Sequence, residues 1–238
     1  MVPDDEFSFE VANARWIGSM ALGKFITFEG GEGSGKSTQV RLLSERLRAH
    51  GLDLLLTREP GGSLFAERLR TIALDPQTPA HSPLSEVLLF YAARADHLEE
   101  AVRPALASGR WVICDRFSDS TRVYQCEAGG LPLRSFRAFE DIVVKPTFPD
   151  LTVILDLPVE IGLQRAEARR NETLQVATVP DAYEKRAPAF HQKLREAFAA
   201  IAKAEPQRCV LIDASADKQA VATAIWSGIS ARLLKEPR

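Results

Sequence analysis

The sequence predicts an α/β fold: one parallel sheet with helices packed on both of its faces. Three observations carry that prediction. Five short, mostly apolar runs are spread along the 238 residues, and Thr27, Asp53 and Thr152 are their only polar members. Apolar character without alternation is what strands covered on both faces require. Between the runs, apolar residues recur at helical spacing, and strand alternating with helix implies parallel strands joined by right-handed crossovers. The first run also leads straight into a glycine-rich turn that opens a helix.

The elements follow in order. The predicted strands are residues 25–28, 52–56, 111–114, 151–155 and 209–212. After the first, Val40, Leu43 and Leu47 mark one face of a helix, with Gly51 placed as its C-terminal cap. Further helical patterns cover 64–74, 85–108, 134–144, 159–170, 184–204 and 218–234. Residues 171–181 have neither period nor strong apolar anchor and read as a mobile loop. No internal repeat is present.

Composition narrows the class. The hydrophobic share is 45% and the charged share 26%, which suits one ordinary globular domain. Lys and Arg number 30 against 32 Asp and Glu, a net charge of -2. That balance does not suit a uniformly basic nucleic-acid surface. The longest apolar run, residues 87–93, falls far short of the roughly 20 residues a membrane helix needs. Neither nucleic acid nor membrane is expected as a partner. Cys114, Cys126 and Cys209 are odd in number and match no zinc or redox spacing, so inert thiols in a reducing cytoplasm are expected. Residues 1–20 carry Asp4, Asp5 and Glu6 and lack a cationic start or apolar core. They read as a loose, flexible extension and not as a secretory signal, with Met20 an alternative start just before the first strand.

The glycine-rich turn is Gly30-Gly31-Glu32-Gly33-Ser34-Gly35-Lys36-Ser37, the pattern G-x-x-x-x-G-K-[ST] between strand and helix. Its glycines let backbone N–H groups converge, and the helix N-terminus adds its positive end. Lys36 reaches the β and γ phosphates of a nucleoside triphosphate, and the Ser37 hydroxyl is a Mg²⁺ ligand. The guanine-reading N-K-x-D and the D-x-x-G switch of GTPases do not occur, nor does L-S-G-G-Q. Phosphotransferases, simple ATPases and nucleotide-dependent binders remain.

A second anion site narrows these. The second run leads into Thr57-Arg58-Glu59-Pro60-Gly61-Gly62, and the third into Cys114-Asp115-Arg116-Phe117. Residues at the carboxyl ends of such strands face the crevice where open α/β sheets bind ligands. Asp115 is a candidate magnesium partner. One arginine at a strand end is ordinarily a surface salt bridge. Two beside a phosphate loop make a pair of forks for a phosphate dianion. Two anion sites on one sheet suggest phosphoryl transfer from a triphosphate to a monophosphate.

The chain resembles the thymidylate kinase family, within the nucleoside-monophosphate kinase superfamily of P-loop proteins. The resemblance rests on the loop from Phe25 through Lys36 to Thr38-Gln39, on T-R-E-P-G-G, on Leu89-Phe90-Tyr91-Ala92-Ala93-Arg94 and on Arg103-Pro104-Ala105-Leu106. It continues through Asp115-Arg116-Phe117-x-x-Ser120-Thr121-x-x-Tyr124-Gln125, Pro149-Asp150-Leu151-Thr152 and Leu155-Asp156-Leu157. It implies a three-layer αβα kinase domain over 21–238, a doubly wound five-stranded sheet of order 2-3-1-4-5, and a lid around 165–183. It also implies ATP with Mg²⁺ as donor, dTMP as acceptor giving dTDP for dTTP synthesis, and a homodimer.

By position, Gly30 to Thr38, including Gly31, Glu32, Gly33, Ser34, Gly35, Lys36 and Ser37, would bind ATP. Ser37 and Asp115 would serve the metal. Arg58 and Arg116 would hold the dTMP phosphate, Phe90 would stack on thymine, and Arg94 would contact its carbonyl. Tyr124 would lie against the deoxyribose, with Thr121 and Gln125 lining the base pocket. No general base is needed, because the acceptor is already an anion. Catalysis then rests on charge from Lys36 and Arg116 and on positioning.

Some family members carry an arginine in the loop directly after its acidic residue, where this chain has Gly33. Arg165 and Arg169, in the helix leading to the lid, are the expected replacements, and the alternative is a plain solvated face, since Glu160 and Glu167 are interspersed. Two departures stand out. Cys126-Glu127-Ala128 precedes Gly129-Gly130 where small residues are usual, and D-R-[IF]-E near the lid's end is Asp181-Ala182-Tyr183-Glu184. The alternatives are a related kinase for another deoxynucleotide or nucleoside, and a nucleotide-gated binder that transfers nothing.

Overall fold

The computed structural model describes residues 22–172, 183 and 186–234. The extension over 1–20, the expected loop from 173 onward and the first two residues of the helix predicted over 184–204 lie outside the described residues.

In chain order the strands are β1 (Phe25–Gly30), β2 (Leu54–Arg58), β3 (Trp111–Asp115), β4 (Leu151–Asp156) and β5 (Cys209–Asp213). The helices are α1 (Lys36–Ala49), α2 (Leu64–Leu74), α3 (Pro83–His97), α4 (Arg103–Ala107), α5 (Ser118–Thr121), α6 (Leu133–Phe139), α7 (Val159–Glu172), α8 (Pro188–Ala204) and α9 (Lys218–Leu233). All strand pairs are parallel, in the order β2-β3-β1-β4-β5. The sheet order and the flanking helices are those of the P-loop fold that the resemblance implies.

Strand alternation gives the sheet two apolar faces. Ile26, Phe28, Ile113 and Leu155 meet Leu47 of α1 and Ile225 of α9. Phe25, Val112 and Cys114 face the other way, against Val87, Val102 and Phe117. Ile154 adds Leu194 and Phe198 of α8. The polar strand residues on this second face are paired. Thr27 Oγ1 lies 2.9 Å from Thr152 Oγ1. Arg208 Nη1 reaches both Thr152 Oγ1 (2.8 Å) and Asp119 Oδ2 (2.6 Å). A buried hydroxyl satisfied in this way costs little.

Several expectations are corrected in detail. β2 lies two residues later than the run at 52–56, because its ladder with β3 continues to Arg58↔Asp115. β2 and β5 are sheet edges and not fully covered; Leu56 is 37% and Leu211 46% exposed. The helix expected over 85–108 is continuous but passes through a π-helical turn at Leu98–Val102. The helix at 134–144 likewise ends in a π-helical stretch, Glu140–Val144. α7 runs two residues past Arg170 into the segment read as loop. A helical stretch at 118–127, α5 followed by π-helical Arg122–Glu127, was not legible in the sequence. Gly51 does end α1: at φ 80° it donates to Arg48 O (2.9 Å), and Leu52 N donates to Leu47 O (3.2 Å). The three cysteines are buried and unbridged.

Candidate active site

The strand register sets the site. Phe28 and Arg58 both pair with Asp115, and Gly30 pairs with Leu155. The carboxyl ends of β1, β2 and β3 therefore open on one crevice, a cavity of about 380 Å³.

One end of it is the phosphate loop. Gly35 caps α1 in the left-handed region, φ 90°, and offers no side chain to the first-turn N–H groups, which stay available to an anion. Gly33 has φ 65°, and a Cβ on it would stand 2.0 Å from Gly162 O of α7. Position 33 thus has no room for a side chain here. Lys36 arches back so that Nζ donates to Gly30 O (3.1 Å) and Gly31 O (2.9 Å). Burial, then repulsion from Arg116, brings its pKa down to about 8. Ser37 Oγ donates to Asp115 Oδ2 at 2.8 Å. A hydroxyl and a carboxylate side by side are two hard oxygen donors. They fit Mg²⁺, which takes one or two protein ligands and completes its shell with water and phosphate oxygens.

The middle of the cavity holds Arg116. Its backbone is left-handed, φ 69°, with its N–H bonded to Phe28 O (2.9 Å). The guanidinium meets Glu32 Oε1 at 2.6 Å and lies 5.2 Å from the centroid of the Tyr124 ring. Tyr124 OH donates to the same Glu32 oxygen (3.2 Å). Burial pushes the Glu32 pKa upward, but Arg116 and Lys36 outweigh it and hold the carboxyl at about 2. Glu32 thus faces the arginine compartment and not the loop's inner surface. Beneath Arg116, buried Glu29 accepts from Phe117 N (2.8 Å), Ser120 N (3.2 Å) and Ser120 Oγ (2.5 Å). Burial, reinforced by Asp119, raises its pKa to about 7. Arg58 is half-exposed and paired with Glu67 (2.9 Å).

The far end is aromatic and more buried. Arg94 is 2% exposed; Nε donates to Glu59 Oε2 (2.8 Å) and Nη2 to Thr121 Oγ1 (3.1 Å). Its Nη1 is buried and has no hydrogen-bond partner among the described residues. A relay from Thr57 Oγ1 through His97 (2.7 Å) to Glu59 (3.0 Å) holds the carboxylate that aims Arg94. Phe90, Tyr124 and Tyr183 form the aromatic walls.

Nearly all expected site residues line this one cavity: Glu32 to Thr38, Arg58, Phe90, Arg94, Asp115, Arg116, Thr121, Tyr124, Gln125 and Arg169. Gly30, the last residue of β1, and Gly31 do not line it. Arg165 is not in the wall; its Nη1 donates to Ala214 O (3.2 Å). Glu59, Arg70 and Tyr183 are among the wall residues to which the sequence reading gave no role. Glu59 lay inside T-R-E-P-G-G without a role. Arg70 interrupts α2 among buried alanines and donates to Pro60 O (2.7 Å). Tyr183 stands where the D-R-[IF]-E pattern has an aliphatic or Phe.

A triphosphate loop continuous with an arginine-rich acceptor compartment defines a P-loop phosphotransferase. The family model for thymidylate kinase matches residues 28–225. The chain is 52% identical over 212 residues to the thymidylate kinase of Nitrobacter winogradskyi, covering 89% of this chain and 90% of that protein. It is 50% identical over 214 residues to that of Caulobacter vibrioides, covering 90% and 99%. A crystal structure of thymidylate kinase from Ehrlichia chaffeensis superposes with TM-score 0.69 at 31% identity, covering 87% of this chain and 99% of that one. The chain belongs to the thymidylate kinase family, and is thus a nucleoside-monophosphate kinase of the class that uses ATP as phosphoryl donor.

Proposed function

We propose that the chain transfers the γ-phosphoryl group of ATP to dTMP, giving dTDP and ADP. One observation carries this reading: the phosphate loop and the arginine and aromatic residues expected to hold dTMP line one continuous cavity. The loop N–H groups and Lys36 hold the donor's phosphates. Arg116, with Arg58 and Arg70, binds the acceptor phosphate. Phe90 stacks on the base, and the unpaired Arg94 Nη1 donates to the carbonyl at thymine position 4. The acceptor needs no deprotonation, so the residues act by alignment and by countering charge on the transferring group. Mg²⁺ held by Ser37 and Asp115 supplies charge neutralisation at the donor's phosphates. Arg169, in the cavity wall, is better placed than Arg165 to face that group.

The homodimer is proposed through α2 and α3. Leu64 is 93% exposed, Phe65 and Ile72 50%, and Leu84 and Leu88 48%. An apolar face of that kind suits a second copy. Among the described residues no helix is long and apolar enough to cross a membrane, and the expected cytoplasmic location is kept as part of the proposal.

A coupled ADP-release assay over dTMP, dUMP, dCMP, dGMP and thymidine tests the reading. Preference for dTMP is expected. Equal or faster turnover of another acceptor would favour the related-kinase alternative.

A further inference from the structure

Gln125 is 2% exposed, and its amide nitrogen is spent twice. Nε2 donates to Tyr183 Oη at 2.9 Å and to Glu86 Oε2 at 3.2 Å. A carboxylate only accepts, so the amide atom beside Glu86 is the nitrogen. Flipping the amide would set two oxygens against each other. Tyr183 and Glu86 thus hold the same amide nitrogen from two sides. Burial raises the Tyr183 pKa far above its ordinary value, so the phenol stays protonated and neutral. Its oxygen is then left to accept from Gln125. Gln125 Oε1 makes no hydrogen bond among the described residues, and the side chain is part of the cavity wall.

We propose that Glu86 and Tyr183 are positioning residues for nucleobase selection, fixing the Gln125 amide so that its oxygen is the atom presented to the base. This deepens the reading given under Proposed function and rests on it. The wall residues Arg94 and Gln125 then each keep one group unspent, a donor at Nη1 and an acceptor at Oε1. Thymine has the complementary edge, a carbonyl at position 4 and an N–H at position 3. Cytosine inverts both, with an amino group and a bare ring nitrogen. A freely flipping amide would reject cytosine only through Arg94; a fixed one rejects it twice. Phe90 packs near the same Tyr183 ring, centroids 6.5 Å apart, and supplies sequence-tolerant stacking alone.

The test compares dTMP with dCMP, by kcat/KM and by equilibrium binding in calorimetry without ATP. Glu86→Gln keeps the shape but accepts or donates, so it no longer forbids the flip. Tyr183→Phe keeps the ring and removes the hydroxyl. Each variant is expected to reduce the dTMP:dCMP ratio by about tenfold. The exchange Glu86→Gln/Gln125→Glu restores an obligate acceptor at the base and is expected to recover most of the ratio, which a merely structural role would not. An unchanged ratio in both single variants overturns the proposal; should one fail to fold, the other decides. Wild type that binds dTMP selectively but transfers nothing overturns the kinase reading and leaves the positioning claim standing.

Discussion

Arg116 Nη2 stands 2.6 Å from Glu32 Oε1, so an ion pair inside the cavity ties the end of β3 to the phosphate loop. Each partner is largely shielded from solvent, at 19% and 15% side-chain exposure. Removing one strands the other.

Glu32→Ala is therefore expected to destabilise the protein by about 1–3 kcal/mol in urea unfolding at pH 7. The sign with pH follows from the depressed pKa. The carboxylate's contribution is complete above its ordinary pKa and is lost as pH falls through about 2. The difference between wild type and Glu32→Gln should shrink in acid. A difference that grows on acidification would contradict the pairing.

Glu29 behaves in the opposite sense. With a pKa near 7 in the fold it holds its proton where the unfolded chain has released it. Stability is thus lost as pH rises from about 4.5 to about 7, on the order of 1–3 kcal/mol. Glu29→Gln removes that slope. Melting temperatures at pH 5 and pH 8 should shift in favour of the variant at the higher pH; parallel profiles would mean Glu29 is ionised throughout.

Gly33 is held by two independent constraints, its left-handed backbone and the approach of Gly162 O. Gly33→Ala should displace the loop from α7 and cost about a hundredfold in kcat, as small misplacements at a reacting centre do. Wild-type turnover in this variant would show that α7 yields easily.

Arg165 and Arg169 should separate. Arg169→Ala is expected to reduce kcat by on the order of a hundredfold with little change in dTMP affinity, the signature of an interaction made mainly during transfer. Arg165→Ala should lose far less, because Arg165 lies outside the cavity wall that Arg169 lines. The reverse order in steady-state kinetics would move the contact one turn back along α7.

The phosphate loop and the five strands were legible because each has a local signature: unbroken apolar runs, and glycines with Lys36 at fixed spacing. The stretch 118–127 was not. Its start is Ser118, Asp119, Ser120 and Thr121, which reads as a polar loop. It is buried and helical because Glu29, Thr152 and Arg208 bond to it from elements far away in sequence. The shift of β2 has a similar origin. Nothing local in Leu52-Asp53 ends the apolar run, and partnership with β3 decides where pairing begins. Arg58 and Arg116 were found as a pair from strand ends. The Glu59 relay that orients Arg94 needed the fold, since Thr57, Glu59, Arg94 and His97 meet only when β2 packs beside α3.

The most direct measurement follows the phosphorus itself. Incubated with γ-labelled ATP, Mg²⁺ and dTMP, the protein should place the label on dTDP in step with ADP formation, as read by chromatography. Lys36→Ala, with unchanged circular dichroism, should nearly abolish both products. ATP consumed to ADP and free phosphate with no labelled dTDP would contradict the account, because the acceptor compartment around Arg116 would then receive no phosphoryl group.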